Sequence, residues 1–134
     1  MALMPRYVSL RRVLSLADER WQLADPAFVD RLLDDGVLEN AVPDRFTHVY
    51  GVEPAAVAPF FEQHGFSTVT LASTHGFLTG VEDGFEALRV EHPAAYTRLL
   101  DRLVATASDP GVLATAGHLL YVGRRDQEPT SPDS

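Results

Sequence analysis

The chain has 134 residues, 46% of them hydrophobic and 22% charged, which is the length and balance of one globular domain. Its 19 acidic residues against 11 basic ones leave a formal charge of −8, the opposite of the basic footprint that neutralises phosphates, so nucleic acid and anionic membranes are poor partners. All 11 basic residues are arginine and no cysteine occurs, which excludes a Schiff-base lysine, a Walker-type ATP site, Cys-based zinc sites, iron–sulfur clusters and thiol nucleophiles. No apolar run approaches the about 18 residues of a membrane span. Pro5 and Arg6 interrupt the first ten residues, unlike a signal peptide. A soluble cytoplasmic protein is the expectation.

Behind Pro5, Leu10, Leu14, Ala17 and Trp21 recur at helical spacing, with Arg11, Arg12, Asp18 and Glu19 on the other face. Asp25-Pro26 supplies the cap and first residue of a second, short helix whose apolar stripe is Phe28, Leu32 and Leu33, and Gly36 is placed to end it. Residues 37 to 45 show no periodicity and read as a loop into a brief extended segment, Phe46-Thr47-His48-Val49-Tyr50. Glu53-Pro54 opens the clearest helix, with Val57, Phe60, Phe61 and His64 on one face and Gly65 at its end. Pro59 inside it removes one hydrogen bond and calls for a kink or a tight 3₁₀ start.

Phe66 to Ala72 alternates at strand spacing. Residues 73 to 91 read as a loop followed by a helical turn over Gly84 to Arg89. After His92-Pro93, the residues Tyr96, Leu99, Leu100, Leu103 and Ala107 form a helical stripe that stops at Ser108-Asp109-Pro110. Leu119-Leu120-Tyr121-Val122 is a continuous apolar run that suits a strand buried on both faces. Residues 126–134, with two prolines, two serines and three acids, read as a disordered tail.

Five histidines, His48, His64, His75, His92 and His118, are the groups able to titrate near neutral pH. Their spacing matches no metal motif. His64 and His92 fit helix ends, where the macrodipole favours them. His75, in a Ser-Thr-His-Gly loop after a strand, is the better ligand candidate, because strand-end loops collect binding residues. No GxSxG elbow supports serine hydrolysis. The adjacent acids Asp34-Asp35 and Glu82-Asp83 do not point together from a helix and read as solvated surface. Gly76, Gly80 and Gly84 fit neither GxGxxG nor the P-loop. Arg6, Arg11 and Arg12 are read either as charge gathered near one loop or as solvated helix surface.

Met4-Pro5-Arg6-Tyr7 with Leu10-Arg11, then Phe46-Thr47-His48-Val49-Tyr50, Glu53-Pro54 and His64-Gly65-Phe66, and last Asp109-Pro110-Gly111 followed by His118-Leu119-Leu120-Tyr121-Val122-Gly123-Arg124 form an ordered series. This series resembles the C-terminal half of class I S-adenosylmethionine-dependent methyltransferases of the small-molecule type, across residues 1–125. The resemblance implies an α/β, partial Rossmann-like methyltransferase fold. In that fold Met1 to Met4 end the fifth strand, and Phe66 to Ala72 and His118 to Val122 are the sixth and seventh, an antiparallel pair at the sheet edge. Pro5 to Val52 would be the substrate-side lid, and Arg6, Tyr7, Tyr50 and His75 would lie toward the pocket of a small-molecule acceptor.

The family's S-adenosylmethionine half has no counterpart here: there is no glycine-rich turn after a first strand and no acid at a second strand end for the ribose. Because methyl transfer depends mainly on fixing donor and acceptor geometry, the resemblance implies a chain inactive alone. A complementary methyltransferase half or a homo-oligomer would then complete it. Two other readings stand beside it. One is a non-catalytic interaction or dimerisation module; the other is a cofactor-free cyclase or isomerase using His48, His75 or His118 as general acid or base.

Overall fold

The computed structural model describes residues 1–45 and 48–126. The chain is a mixed α/β structure with antiparallel strands. Strand β1 (Ala2–Leu3) leads into α1 (Arg6–Ser15), a 3₁₀ turn (Arg20–Ala24) and α2 (Pro26–Asp30), which widens into a π turn over Arg31–Asp35. Strands β2 (Val37–Glu39) and β3 (His48–Tyr50), α3 (Pro54–Gln63) and β4 (Phe66–Ser73) follow, then α4 (Glu82–Glu91), α5 (Pro93–Thr106), α6 (Pro110–Thr115) and β5 (Leu119–Arg125).

The main sheet has the order β1-β5-β4, with β5 in the centre and antiparallel to both neighbours. Tyr121 exchanges both backbone hydrogen bonds with Met1, at 2.8 and 2.9 Å, which fixes Ala2 opposite Leu120. A bulge between Thr68 and Thr70 breaks the β4–β5 ladder and leaves Val69 exposed. The chain at Val52 runs parallel to Pro5 outside β1, with Val52 N–H donating to Met4 O and Arg6 N–H donating to Val52 O, both at 2.9 Å. The C-terminal end of β1 is thereby paired on its outer side.

Local chemistry sets the element ends. The Asp25 carboxylate accepts from Ala27 N–H at 3.0 Å with Pro26 in the first turn, as the Asp-Pro pair predicts. Gly36 ends the π turn at φ 73°, and Gly65 follows α3 at φ 79°. Alpha helix continues from Pro54 through Pro59 to Gln63. Its first bond, from Ala56 N–H to Glu53 O, spans three residues in the tight 3₁₀ manner.

Several expectations are corrected. Residues 37–39 are strand rather than loop: Val37, Leu38 and Glu39 pair with Tyr50, Val49 and His48, and buried Leu38 anchors the ribbon. Three residues are too few for a period to be visible, and their partner lies nine residues downstream. The turn expected over 84 to 89 is a ten-residue helix, α4. Strand β5 is not buried on both faces: Leu119 and Tyr121 are buried, while Leu120 and Val122, which alternate to the opposite face, are 42% and 40% exposed. On the buried face Phe61 of α3 stacks on Tyr121, with ring centroids 4.1 Å apart and 12° between planes. Of the extended segment expected at 46 to 50, residues 46 and 47 lie outside the described residues, as does most of the expected tail.

The principal buried cluster lies between the first helices and the β2–β3 ribbon. Val13, Phe28, Leu32 and Leu38 form it, with Leu10, Leu23 and Val49 packed around them. Of the stripe expected on one face, Leu10 packs against this cluster but Leu14, Ala17 and Trp21 are exposed. Helix α1 stops at Leu16, whose extended φ of −100° and ψ of 113° re-aim the chain, and the residues that follow turn a different face inward. Glu19, expected on the solvent face, is fully buried, and Arg12 Nη2 donates to its Oε1 at 2.7 Å. Beside it Gln22 donates to Asn40 Oδ1 at 2.9 Å and accepts from Ala41 N–H at 2.9 Å, so the ribbon is tied to the 3₁₀ turn by side-chain hydrogen bonds.

Candidate functional site

Helix α3, β1 and the segment after β3 enclose a cavity of about 400 Å³. Its walls are apolar: Met1, Leu3, Val52, Ala56, Val57, Phe60 and Phe61. Polar groups enter from Arg6, Tyr50 and Glu53 alone. This is the composition of a small-molecule site, a mostly apolar concavity with a few placed polar groups.

The local sequence explains how Arg6 and Glu53 meet. Arg6 is the first residue of α1 and Glu53 precedes α3, and the Pro5–Val52 bridge brings these two helix starts side by side. The approach needs glycine on both sides. A Cβ on Gly51 would lie 2.8 Å from Arg6 Cα, and one on Gly36 would strike the Gly51 carbonyl. Arg6 Nη1 donates to Asp34 O at 2.8 Å, a carbonyl in the π turn. Its Nε lies 3.3 Å from Glu53 Oε1, sealed from solvent and without an aligned acceptor. The Arg6 side chain is 15% exposed and that of Glu53 is 45% exposed.

The four residues expected toward an acceptor pocket separate into two groups. Arg6 and Tyr50 line the cavity. Tyr7 and His75 do not: Tyr7 is half exposed on α1, and His75 is exposed in the loop after β4. His75 Nδ1 lies 3.0 Å from Thr74 Oγ1. Near it, backbone hydrogen bonds from Glu82 itself and from Gly80 hold the Glu82 carboxyl below its ordinary range, with smaller contributions of the same sign from His75 and Arg11. Tyr7 stands one turn before Arg11 on the same face of α1.

Val57, Phe60 and Phe61 read from the sequence as the apolar face of a helix and Glu53 as its start, yet all four line the cavity. A signal for them existed in the apolar stripe of α3, whose members Phe60 and Phe61 face a cavity as well as the sheet. Nothing in the sequence distinguished those two destinations.

The remaining histidines are placed structurally. His64 Nδ1 lies 2.7 Å from Phe60 O at the end of α3, and His92 joins α4 to α5. His48 and His118 are exposed. Among the described residues no group of three His, Cys, Asp or Glu side chains could hold a metal ion. No described helix is long and apolar enough to cross a membrane.

No protein-family model, curated protein or solved structure matches this chain.

Proposed function

We propose that this chain is the substrate-side and sheet-edge part of a class I S-adenosylmethionine-dependent methyltransferase fold, with Arg6 and Tyr50 in the pocket of a small-molecule acceptor. The observation that carries the reading is the sheet order β1-β5-β4, with β5 running antiparallel between two strands that are parallel to each other. Within it, the antiparallel pairing of β4 with β5 is what is expected when the segments at 66–72 and 118–122 are the sixth and seventh strands. The cavity at the C-terminal end of β1 supports it further, since ligands of open α/β sheets collect at such strand ends.

The residues present do not fit the methyl-donor cofactor. The side chains lining the cavity beside β1 include no acid other than Glu53, which is engaged with Arg6, and the close approach of Gly36, Gly51 and Arg6 leaves no glycine-lined cradle there. On this reading the cofactor would be held by a partner, either a complementary methyltransferase half or another copy of the chain. The test is a chimera in which the cofactor-binding half of a complete class I methyltransferase is joined ahead of Met1. A chimera that folds and is stabilised by S-adenosylhomocysteine is the expected result. A folded chimera indifferent to it, or micromolar binding by the present chain alone, overturns the reading.

A second reading, an association module, is favoured by the bare sheet face at Leu120 and Val122 and by α5, which contains no buried residue. Sedimentation of the chain across a concentration series decides it. A monomer throughout the micromolar range removes this alternative.

A further inference from the structure

We infer that the cavity beside β1 binds a neutral, mostly apolar small molecule through a single hydroxyl group, of the phenol class, held between Arg6 and Glu53. Its assignment as the acceptor pocket rests on the methyltransferase reading; the binding chemistry does not. The volume of about 400 Å³ suits a compact ligand of one or two rings, and the walls from Leu3, Val57, Phe60 and Phe61 offer it only apolar surface. Specificity must then come from its few polar groups, of which Arg6 and Glu53 form one corner.

Charge balance selects the ligand. Arg6 and Glu53 neutralise each other across 3.3 Å. A ligand carboxylate added to an apolar cavity would leave two anions on one guanidinium, and a ligand ammonium would leave two cations on one carboxylate. Either way the corner would carry a net charge beside apolar walls, which is disfavoured. A neutral hydroxyl leaves the corner neutral.

Hydrogen-bond geometry selects the same group. Arg6 Nη1 is committed to the Asp34 carbonyl and Nε faces Glu53, whereas Nη2 has no partner among the described residues and is not sealed from solvent. Nη2 can only donate, and the Glu53 carboxylate can only accept. A hydroxyl does both: its oxygen accepts from Arg6 Nη2 while its O–H donates to Glu53. An ether can make only the first of these bonds, and a carboxylate cannot make the second. Both bonds involve a charged partner and belong to the stronger class.

The test uses the whole chain without any methyl donor and follows backbone amide shifts on titration with 2-naphthol, 2-methoxynaphthalene and 2-naphthoate. We expect 2-naphthol to shift the amides of Val52, Glu53 and Ala56 and to bind about ten-fold more tightly than either analogue, the value of one charge-assisted hydrogen bond. Glu53→Leu, at a half-exposed position, should erase the preference for 2-naphthol over 2-methoxynaphthalene. Phe60→Ala, also at an exposed position, should weaken all three ligands alike. Equal binding of 2-naphthol and its methyl ether, tighter binding of 2-naphthoate, shifts confined to another surface, or a full hydroxyl preference in Glu53→Leu would each overturn the inference. Because no cofactor takes part, failure of the chimera described above leaves this result standing, and loss of the hydroxyl preference leaves the methyltransferase reading standing.

Discussion

Residues 6–50 and residues 82–106 are both built largely from helix, yet they hold their structure differently. The first region has its own core: Val13, Leu32 and Leu38 are fully buried, and Glu19 and Gln22 are buried and hydrogen-bonded among them. The second has no buried residue in either α4 or α5, whose two helices are joined by the stack of Phe85 on Tyr96, with ring centroids 4.5 Å apart. The helical stripe of α5, through Tyr96, Leu99, Leu100 and Leu103, is nonetheless plain in the sequence. An amphipathic stripe thus records that a helix has an apolar side, while the depth of its burial depends on what is packed there.

The sharpest way to break this comparison is a pair of truncations. Leu32→Ala should cost about 3 kcal/mol in chemical denaturation, the loss for a fully buried leucine. Val104→Ala, at a position 72% exposed, should stay within about 0.5 kcal/mol. Similar losses from both would mean that α5 is covered in solution.

Glycine positions give the next contrast. Gly36→Ala combines a left-handed φ of 73° with a collision against the Gly51 carbonyl, and should cost about 2 kcal/mol or more in the same assay. Gly65→Ala has a similar φ of 79° but open space around it, so about 1 kcal/mol is expected. Removal of the buried acid is comparable to the first of these. Glu19→Ala deprives Arg12 of its 2.7 Å charge-assisted bond within the core of residues 6–50, and should lower stability by about 2 kcal/mol.

The smallest expected effect is a pH dependence. The hydrogen bond from Arg45 to Asp18, at 2.8 Å, holds the Asp18 carboxyl below its ordinary value of 3.8. A carboxyl depressed in the folded state contributes stability that is present above pH 3.8 and is lost as the pH falls through the lower, folded-state value. Asp18→Asn should therefore flatten the acid limb of the stability curve below that pH and change little near neutrality, because the pair is solvent-exposed. An unchanged acid limb would mean that the pair does not persist in solution.

Much of the framework was legible from residues in sequence. Asp25-Pro26, Gly36, Gly65 and Asp109-Pro110 mark element ends through local chemistry, and the alternation of Phe66 to Ala72 marks β4. The candidate site was legible by halves. Arg6 and Tyr50 line the cavity, but Glu53, the residue that gives its polar corner an acceptor, looked like an ordinary helix start.

What the sequence determined by itself is whatever rests on contacts a few residues apart: caps, positive-φ turns, and the periods of helix and strand. The tertiary structure alone decided which of those surfaces are covered. It turned Glu19 inward and Trp21 outward after the break at Leu16, left Leu120 and Val122 open on one sheet face, and set Arg6 against Glu53 through the Pro5–Val52 bridge. The physical reason is that burial and charge pairing are properties of two segments at once. Arg6 and Glu53 are 47 positions apart, and no local pattern encodes the distance between them.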